Sequence, residues 1–226
     1  MPAISRRKAI SLIAVTATGV AVSREAFAAA GTTQLLNGAD VCVFTPETTE
    51  GPYYFDPALE RRDITEGRPG HPTTVRLQVV DAQCKPMAGA RVDIWHCDAA
   101  GIYSGYPRQT GGVDATGEAF MRGTQFADAD GIVEFETTYP GWYRGRTTHI
   151  HFKVFLDQQT LLTGQLFFPE DVNEKVYATA PYTERKDIRD TFNDGDNIAR
   201  RAGAASVASV AELPERYVAQ MIIGVA

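Results

Sequence analysis

The chain has 226 residues, room for one large domain or two small ones, and its 44% hydrophobic and 22% charged residues are ordinary globular values. A formal net charge of −6 offers nothing to the phosphates of nucleic acid or to an anionic membrane surface, so neither is expected as a partner. Internal repeats and low-complexity tracts are absent.

The first segment stands apart from this background. SRRKAI carries the pair Arg6 and Arg7, a short run of Ile, Leu, Ala, Val and Thr follows, and AFAAA supplies a small-x-small cleavage pattern. This predicts a twin-arginine-type signal peptide over residues 1–28, cleaved after Ala28, and a periplasmic or extracellular location. The apolar run is too short, and too rich in Ala, Thr and Gly, for a comfortable membrane span, so no stable membrane insertion is expected after cleavage. Losing Arg6, Arg7, Lys8 and Arg24 against Glu25 alone leaves the remainder more acidic still. Residues 29–44 read as a flexible leader, and residues 45–226 as a single domain. Cys42, Cys84 and Cys97 lack CxxC spacing and cannot all pair. One disulfide with one free thiol is the arrangement an oxidising compartment allows, with the choice of pair left open.

Within the domain, the turn-rich stretches TPETTEGPYYFDP (45–57) and EGRPGHP (66–72) precede the first strand signal. TVRLQVV alternates Val75, Leu77 and Val79 on one face, and ARVDIWH alternates Val92 and Ile94 against Asp93 and Trp95. A long glycine-rich loop over 96–117 then carries Tyr103 and Tyr106, and loops of this length in a compact β-domain are usually functional or disordered. Further strands are expected at GIVEFET, HIHFKVFL, LLTGQLFF and RYVAQMIIGVA. Helix is expected only at the periphery, over 171–178 and part of 183–192. Many short strands with Gly/Pro turns predict a mainly β fold: an antiparallel β-sandwich with long functional loops and minor peripheral helices.

One strand carries chemistry. In RGRTTHIHFKV (144–154), period-two alternation puts His149, His151 and Lys153 on one face and Ile150, Phe152 and Val154 on the other. The apolar set can anchor in a core while the imidazoles project together, close enough to share one metal ion. GIYSGY supplies Tyr103 and Tyr106 as further oxygen donors, and PGWYRGR supplies Tyr143 with Arg146. A phenol titrates near 10, so only a strongly Lewis-acidic ion holds it as phenolate at neutral pH. Two phenolates with two imidazoles suit ferric iron better than zinc or calcium.

DIWHCDAAGIYSGY, PGWYRGRTTHIHFKV and TEGPYY together resemble the intradiol ring-cleavage dioxygenases, the family of protocatechuate 3,4-dioxygenase and the catechol 1,2-dioxygenases. The resemblance runs from Thr45 to about Phe168 and is carried most specifically by the R-x-x-H-x-H ending behind PGxY. It implies one Fe(III) per chain, held by Tyr103, Tyr143, His149 and His151. By the same resemblance Tyr143 is the ligand that leaves iron when substrate binds and takes its proton, while Arg146 steadies charge developing on the substrate. Pro52 and Tyr53 would line the substrate pocket. The implied reaction joins dioxygen to a small aromatic diol and cleaves the ring between its hydroxylated carbons, giving a muconate-type dicarboxylate. Self-association into a homo-oligomer is compatible with the family. Two alternatives fit parts of the pattern: a non-catalytic regulatory or adhesion-type β-sandwich module, and a cupin-like oxygenase using HxH with Asp157 as the nearby carboxylate.

Overall fold

The computed structural model describes residues 43–56 and 58–226, all within one compact unit. The signal segment and residues 29–42 of the leader lie outside the described residues, as does Cys42. At the leader's end, Phe44 pairs with Gly224 as a parallel bridge. Among the described residues the chain runs through β1 (Pro72–Val80), β2 (Arg91–Trp95), β3 (Arg122–Phe126), β4 (Ile132–Thr138), β5 (His149–Leu156), β6 (Gln159–Phe167), α1 (Glu170–Tyr177), α2 (Asn197–Ala202), β7 (Ser209–Leu213) and β8 (Arg216–Gly224). The strands form two four-stranded sheets, β4-β1-β8-β7 and β3-β2-β5-β6. No helix among the described residues is long and apolar enough to cross a membrane.

The alternating residues read from the sequence build one core between these sheets. Val75, Leu77 and Val79 of β1 meet Val92 and Ile94 of β2 and Ile150, Phe152 and Val154 of β5 in a single buried cluster. Packing is tight where β5 crosses β6: Gly164 lies opposite Phe152, and a Cβ there would sit 2.1 Å from Phe152 Cζ. The ring occupies the space that any larger residue at 164 would need.

The β-sandwich expected from the sequence is present, with local differences. The first sheet is mixed, because β8 runs parallel to β1. Its direction is set by the antiparallel β7–β8 pairing, and insertion beside β1 then makes that pair parallel. The helix expected within 183–192 is only a 3-10 turn at Tyr182–Glu184; the following side chains bond to other parts of the chain instead of supporting a helix. Strand β3 escaped the sequence reading because RGTQF has no apolar alternation, and β7 because it is an exposed edge strand. Cys84 is disulfide-bonded, and Cys97 is the buried free thiol.

Candidate active site

The second sheet has a buried outer face, where antiparallel sheets often meet water. Across it, Arg122 pairs with Trp95, Trp95 with His151, and His151 with Gln165. Directly opposed residues share a face, so these four side chains make one row across the strands. None is more than 2% exposed. In this row Arg122 Nε and Gln165 Nε2 donate to Ser104 Oγ and Thr49 O, while Trp95 Nε1, Arg122 Nη1 and His151 Nδ1 are buried without a hydrogen-bond partner.

At His149, the preceding residue on the same face of β5 and the first of the strand, the donors converge. Its Nε2 lies 3.1 Å from Tyr143 Oη, 3.1 Å from His151 Nε2 and 3.4 Å from Tyr103 Oη. Its Nδ1 lies 2.6 Å from the Thr147 carbonyl, which can only accept, so Nδ1 carries the proton and Nε2 keeps its lone pair. The His151 ring stacks flat on Trp95, with centroids 4.9 Å apart and 9° between planes. Its Nδ1 is buried without a hydrogen-bond partner.

One lone pair on His149 cannot serve both phenols and the second imidazole, whereas a cation among the four donors would use all of them. With metal–ligand bonds of about 2.0–2.1 Å, neighbouring ligand atoms in a compact shell stand roughly 2.9–3.4 Å apart. The observed spacings fall in that span, so the residues fit a metal ion. Among the described residues no group of three His, Cys, Asp or Glu side chains is placed to hold a metal; a cation here depends on the tyrosine oxygens. Burial sets the protonation states. It pushes the Tyr103 phenol well above its ordinary value, with Tyr143 adding to the effect, and moves Tyr143 up to about 12. Burial, reinforced by Arg146, moves His149 down to about 3, and His151 is also held well below its ordinary value. Both imidazoles are therefore neutral donors at working pH, and both phenols need a cation to ionise.

Arg146 reaches this cluster from the turn Tyr143–Arg146, whose ends bridge each other, with Gly145 at φ +79°. Its guanidinium is held on two sides: Nε donates to Asp196 Oδ2 at 2.8 Å and Nη2 to Gln165 Oε1 at 2.5 Å. The remaining nitrogen, Nη1, stands 3.4 Å from His149 Nε2. A permanent positive charge thus faces the donor cluster at fixed range.

Two loops cover the row. Tyr53 stacks on Tyr103, with centroids 4.4 Å apart. Gly51 lies so near His151 that a Cβ would sit 3.3 Å from its Cε1, at a φ of +71° that already favours glycine. Pro52 is exposed beside it. Gln165 Nε2 donates to Thr49 O at 2.9 Å, and Lys153 pairs with Glu50 at 2.5 Å, so Thr49 and Glu50 are both tied to the sheet. Of the two tyrosines in the 101–106 segment, Tyr103 joins the cluster, while the Tyr106 hydroxyl donates to the Tyr54 carbonyl.

The fold thus gathers Tyr103, Tyr143, Arg146, His149 and His151, with Tyr53 against them and Pro52 at the edge. Sequence reading missed Gln165, Asp196 and Trp95. A lone amide inside LLTGQLFF was the available signal for Gln165; nothing local marked Asp196 as more than a helix cap. His96 is not part of the cluster, since its ring nitrogens face Cys97 O and Thr137 Oγ1, both at 2.8 Å.

A family model described as "Dioxygenase" matches residues 49–181. Catechol 1,2-dioxygenase 1 of Acinetobacter lwoffii is 31% identical over 173 residues, which cover 63% of this chain and 54% of that protein. The chain spans about half the length of the curated relatives it matches. Among solved structures, an intradiol ring-cleavage dioxygenase from Tetranychus urticae superposes with a TM-score of 0.75 at 33% identity, over 81% of this chain and 94% of that one. The dioxygenase domain of a carbohydrate-binding fusion protein from Streptomyces sp. SirexAA-E does so with a TM-score of 0.60 at 31% identity, over 80% and 97%. Fold, matched segment and relatives agree: the chain belongs to the intradiol ring-cleavage dioxygenase family.

Proposed function

We propose that this protein is a ferric-iron dioxygenase that opens the ring of a catechol-type diol between its two hydroxylated carbons, yielding a cis,cis-muconate-type dicarboxylate. The observation that carries the reading is the convergence of Tyr103, Tyr143 and His151 on His149 Nε2, with Arg146 aimed at the same point. Tyr103, Tyr143, His149 and His151 would hold one Fe(III) per chain, and the relatives named for catechol supply the substrate class. Iron bound there would supply the Lewis acidity that ionises the diol and draws electron density from its ring, making a ring carbon open to dioxygen.

The chain's own residues supply the rest. Tyr143 is half-buried where Tyr103 is fully buried, so Tyr143, as the phenolate that a bound cation would hold, is the side chain free to swing aside and take a proton from the entering diol, becoming a neutral phenol. Tyr103 is pinned beneath Tyr53 and keeps its place. Tyr53 and Tyr103 offer ring faces beside the cluster, and Pro52 edges the opening. Arg146 stabilises the negative charge that spreads into the ring as the bond to oxygen forms, in a site sheltered from water. The twin-arginine-type segment adds export to the periplasm or beyond as part of the same proposal.

A cupin-like arrangement finds no support in the geometry: Asp157 is exposed in the turn after β5, at the strand end remote from His149 and His151. The test is oxygen uptake by iron-loaded protein across a small panel of catechols, with products identified by mass spectrometry after reaction under labelled dioxygen. A red protein with about one iron per chain and a dicarboxylate carrying both labelled atoms is expected. Stoichiometric zinc, or a yellow semialdehyde from cleavage beside the diol, would overturn the reading.

A further inference from the structure

We infer that Asp196 is a positioning residue for this reaction: its carboxylate aims the Arg146 guanidinium at the substrate position. The inference rests on the function proposed above and deepens it.

Asp196 lies fifty positions beyond Arg146 in the chain, yet its side chain is only 2% exposed and sits against the Tyr143–Arg146 turn. One oxygen, Oδ2, accepts from Arg146 Nε at 2.8 Å and from the Thr147 amide at 3.0 Å. The other, Oδ1, accepts from the Ile198 and Ala199 amides at 2.7 and 3.2 Å, capping α2. The carboxylate lies outside the donor cluster and holds the arm that carries the charge together with the next backbone amide. Partners of this kind, one step behind the reacting groups, set how those groups are aimed.

The hold is not incidental. Asp190 Oδ1 accepts from the Gly145 amide at 3.0 Å, and Asn193 Oδ1 accepts from Thr147 Oγ1 at 2.7 Å. Side chains at 190, 193 and 196 thus grip successive residues of the same turn. Asp196 differs from the other two in reaching the guanidinium. Burial opposes its charge, but the Arg146 hydrogen bond and the Thr147 amide outweigh this and keep the carboxyl below its ordinary range. An arginine arm held only by Gln165 would be free to pivot about one contact, and Nη1 would lose its fixed 3.4 Å station at His149.

Asp196→Asn is the informative variant, because asparagine caps helices as well as aspartate while its amide cannot accept from both Arg146 and Thr147 on one side and from α2 on the other. The experiment compares wild type, Asp196→Asn, Arg146→Ala and the double variant as iron-loaded full-length protein with catechol. Four quantities are read: iron content with the visible band, anaerobic catechol titration, steady-state kcat and KM, and thermal midpoint. Iron content and catechol affinity should stay near wild type in Asp196→Asn while kcat falls about 10- to 100-fold. In the Arg146→Ala background the same substitution should cost less than about twofold, since there is no arm left to aim. Multiplying effects in the double variant, or wild-type kcat in Asp196→Asn, would overturn the inference. If no protein in the set opens any diol, the proposed reaction fails, and the cycle of thermal midpoints still decides the pairing. Non-additive midpoints would support an Asp196–Arg146 hold, and additive ones would reject it.

Discussion

On one face of β5, Ile150, Phe152 and Val154 pack into the core between the sheets; on the other, His149 and His151 are equally buried among tyrosines, an arginine and a glutamine. Both faces exclude water, but they do so at different cost. The apolar face needs only neighbours of the right volume, which the other strands bring by alternation alone. The polar face needs a partner for every buried donor and acceptor. It draws most of them from the Thr49–Tyr53 loop, the Tyr103 loop, the Tyr143–Arg146 turn and the 190–196 segment, and leaves Trp95 Nε1, Arg122 Nη1 and His151 Nδ1 without one. The lesson is that a strand can be half scaffold and half reagent, with the reagent half assembled from remote parts of the chain.

Substitutions that damage one face and spare the other break or sharpen this contrast. The largest effect is expected on the polar face: His149→Ala or His151→Ala should lose iron and turnover outright, while the apolar core keeps the protein folded. Metal analysis with thermal unfolding checks it, and iron retained at full activity in both variants would erase the distinction between the faces. On the apolar face, Phe152→Ala should cost about 3–5 kcal/mol in urea unfolding, through lost burial and the cavity left against Gly164. The folded fraction should still bind iron, since no donor is touched.

Arg146→Ala should keep iron and colour but lose turnover by a factor on the order of a hundred to a thousand, the usual effect of removing one preorganised charge-stabilising group. Arg146→Lys should recover only part, because the planar fork shared by Asp196 and Gln165 is gone. Steady-state kinetics on iron-loaded protein measures both.

The smallest effect concerns a histidine outside the cluster. Burial lowers His96 to about 4 from 6.5, so the folded protein resists a proton that the unfolded chain accepts. The sign follows: stability is full above about 6.5 and is lost as pH falls toward 4, by up to about 1.4 kcal/mol per pH unit. Urea unfolding of iron-loaded protein at pH 7 and at about 5.5 should show a loss on the order of 1 kcal/mol from this group, and His96→Gln should reduce the pH dependence by that share, leaving the part due to His149 and His151.

Strand β5 and its two faces were legible because alternation is a relation between residues two apart, and HIHFKVFL states it without interruption. The helix over Glu170–Tyr177 was legible for the same kind of reason. β3 was not, because its buried residues Arg122 and Thr124 lie on the outer face of the sheet and only Gly123 stands opposite the core residue Ile94, so no apolar residue marks a buried side. The 183–192 stretch misled because its polar residues look like an exposed helix, whereas Arg189 pairs with Glu170 and Asp190 is spent on the Gly145 amide. Gln165 and Asp196 have no local signature of their roles; each acquires one only from what lies across the sheet or the turn.

By itself, then, the sequence determined the alternating strands, the β-class of the domain, the histidine pair on one face of β5 and the family resemblance, all carried by residues near one another in the chain. Tertiary structure alone decided that β8 runs parallel to β1 and that Asp196 reaches back to Arg146. The reason is physical. Periodicity and turn chemistry are set by steric relations within a few residues, whereas a hydrogen bond across fifty positions exists only once the chain has closed and both partners have lost their water.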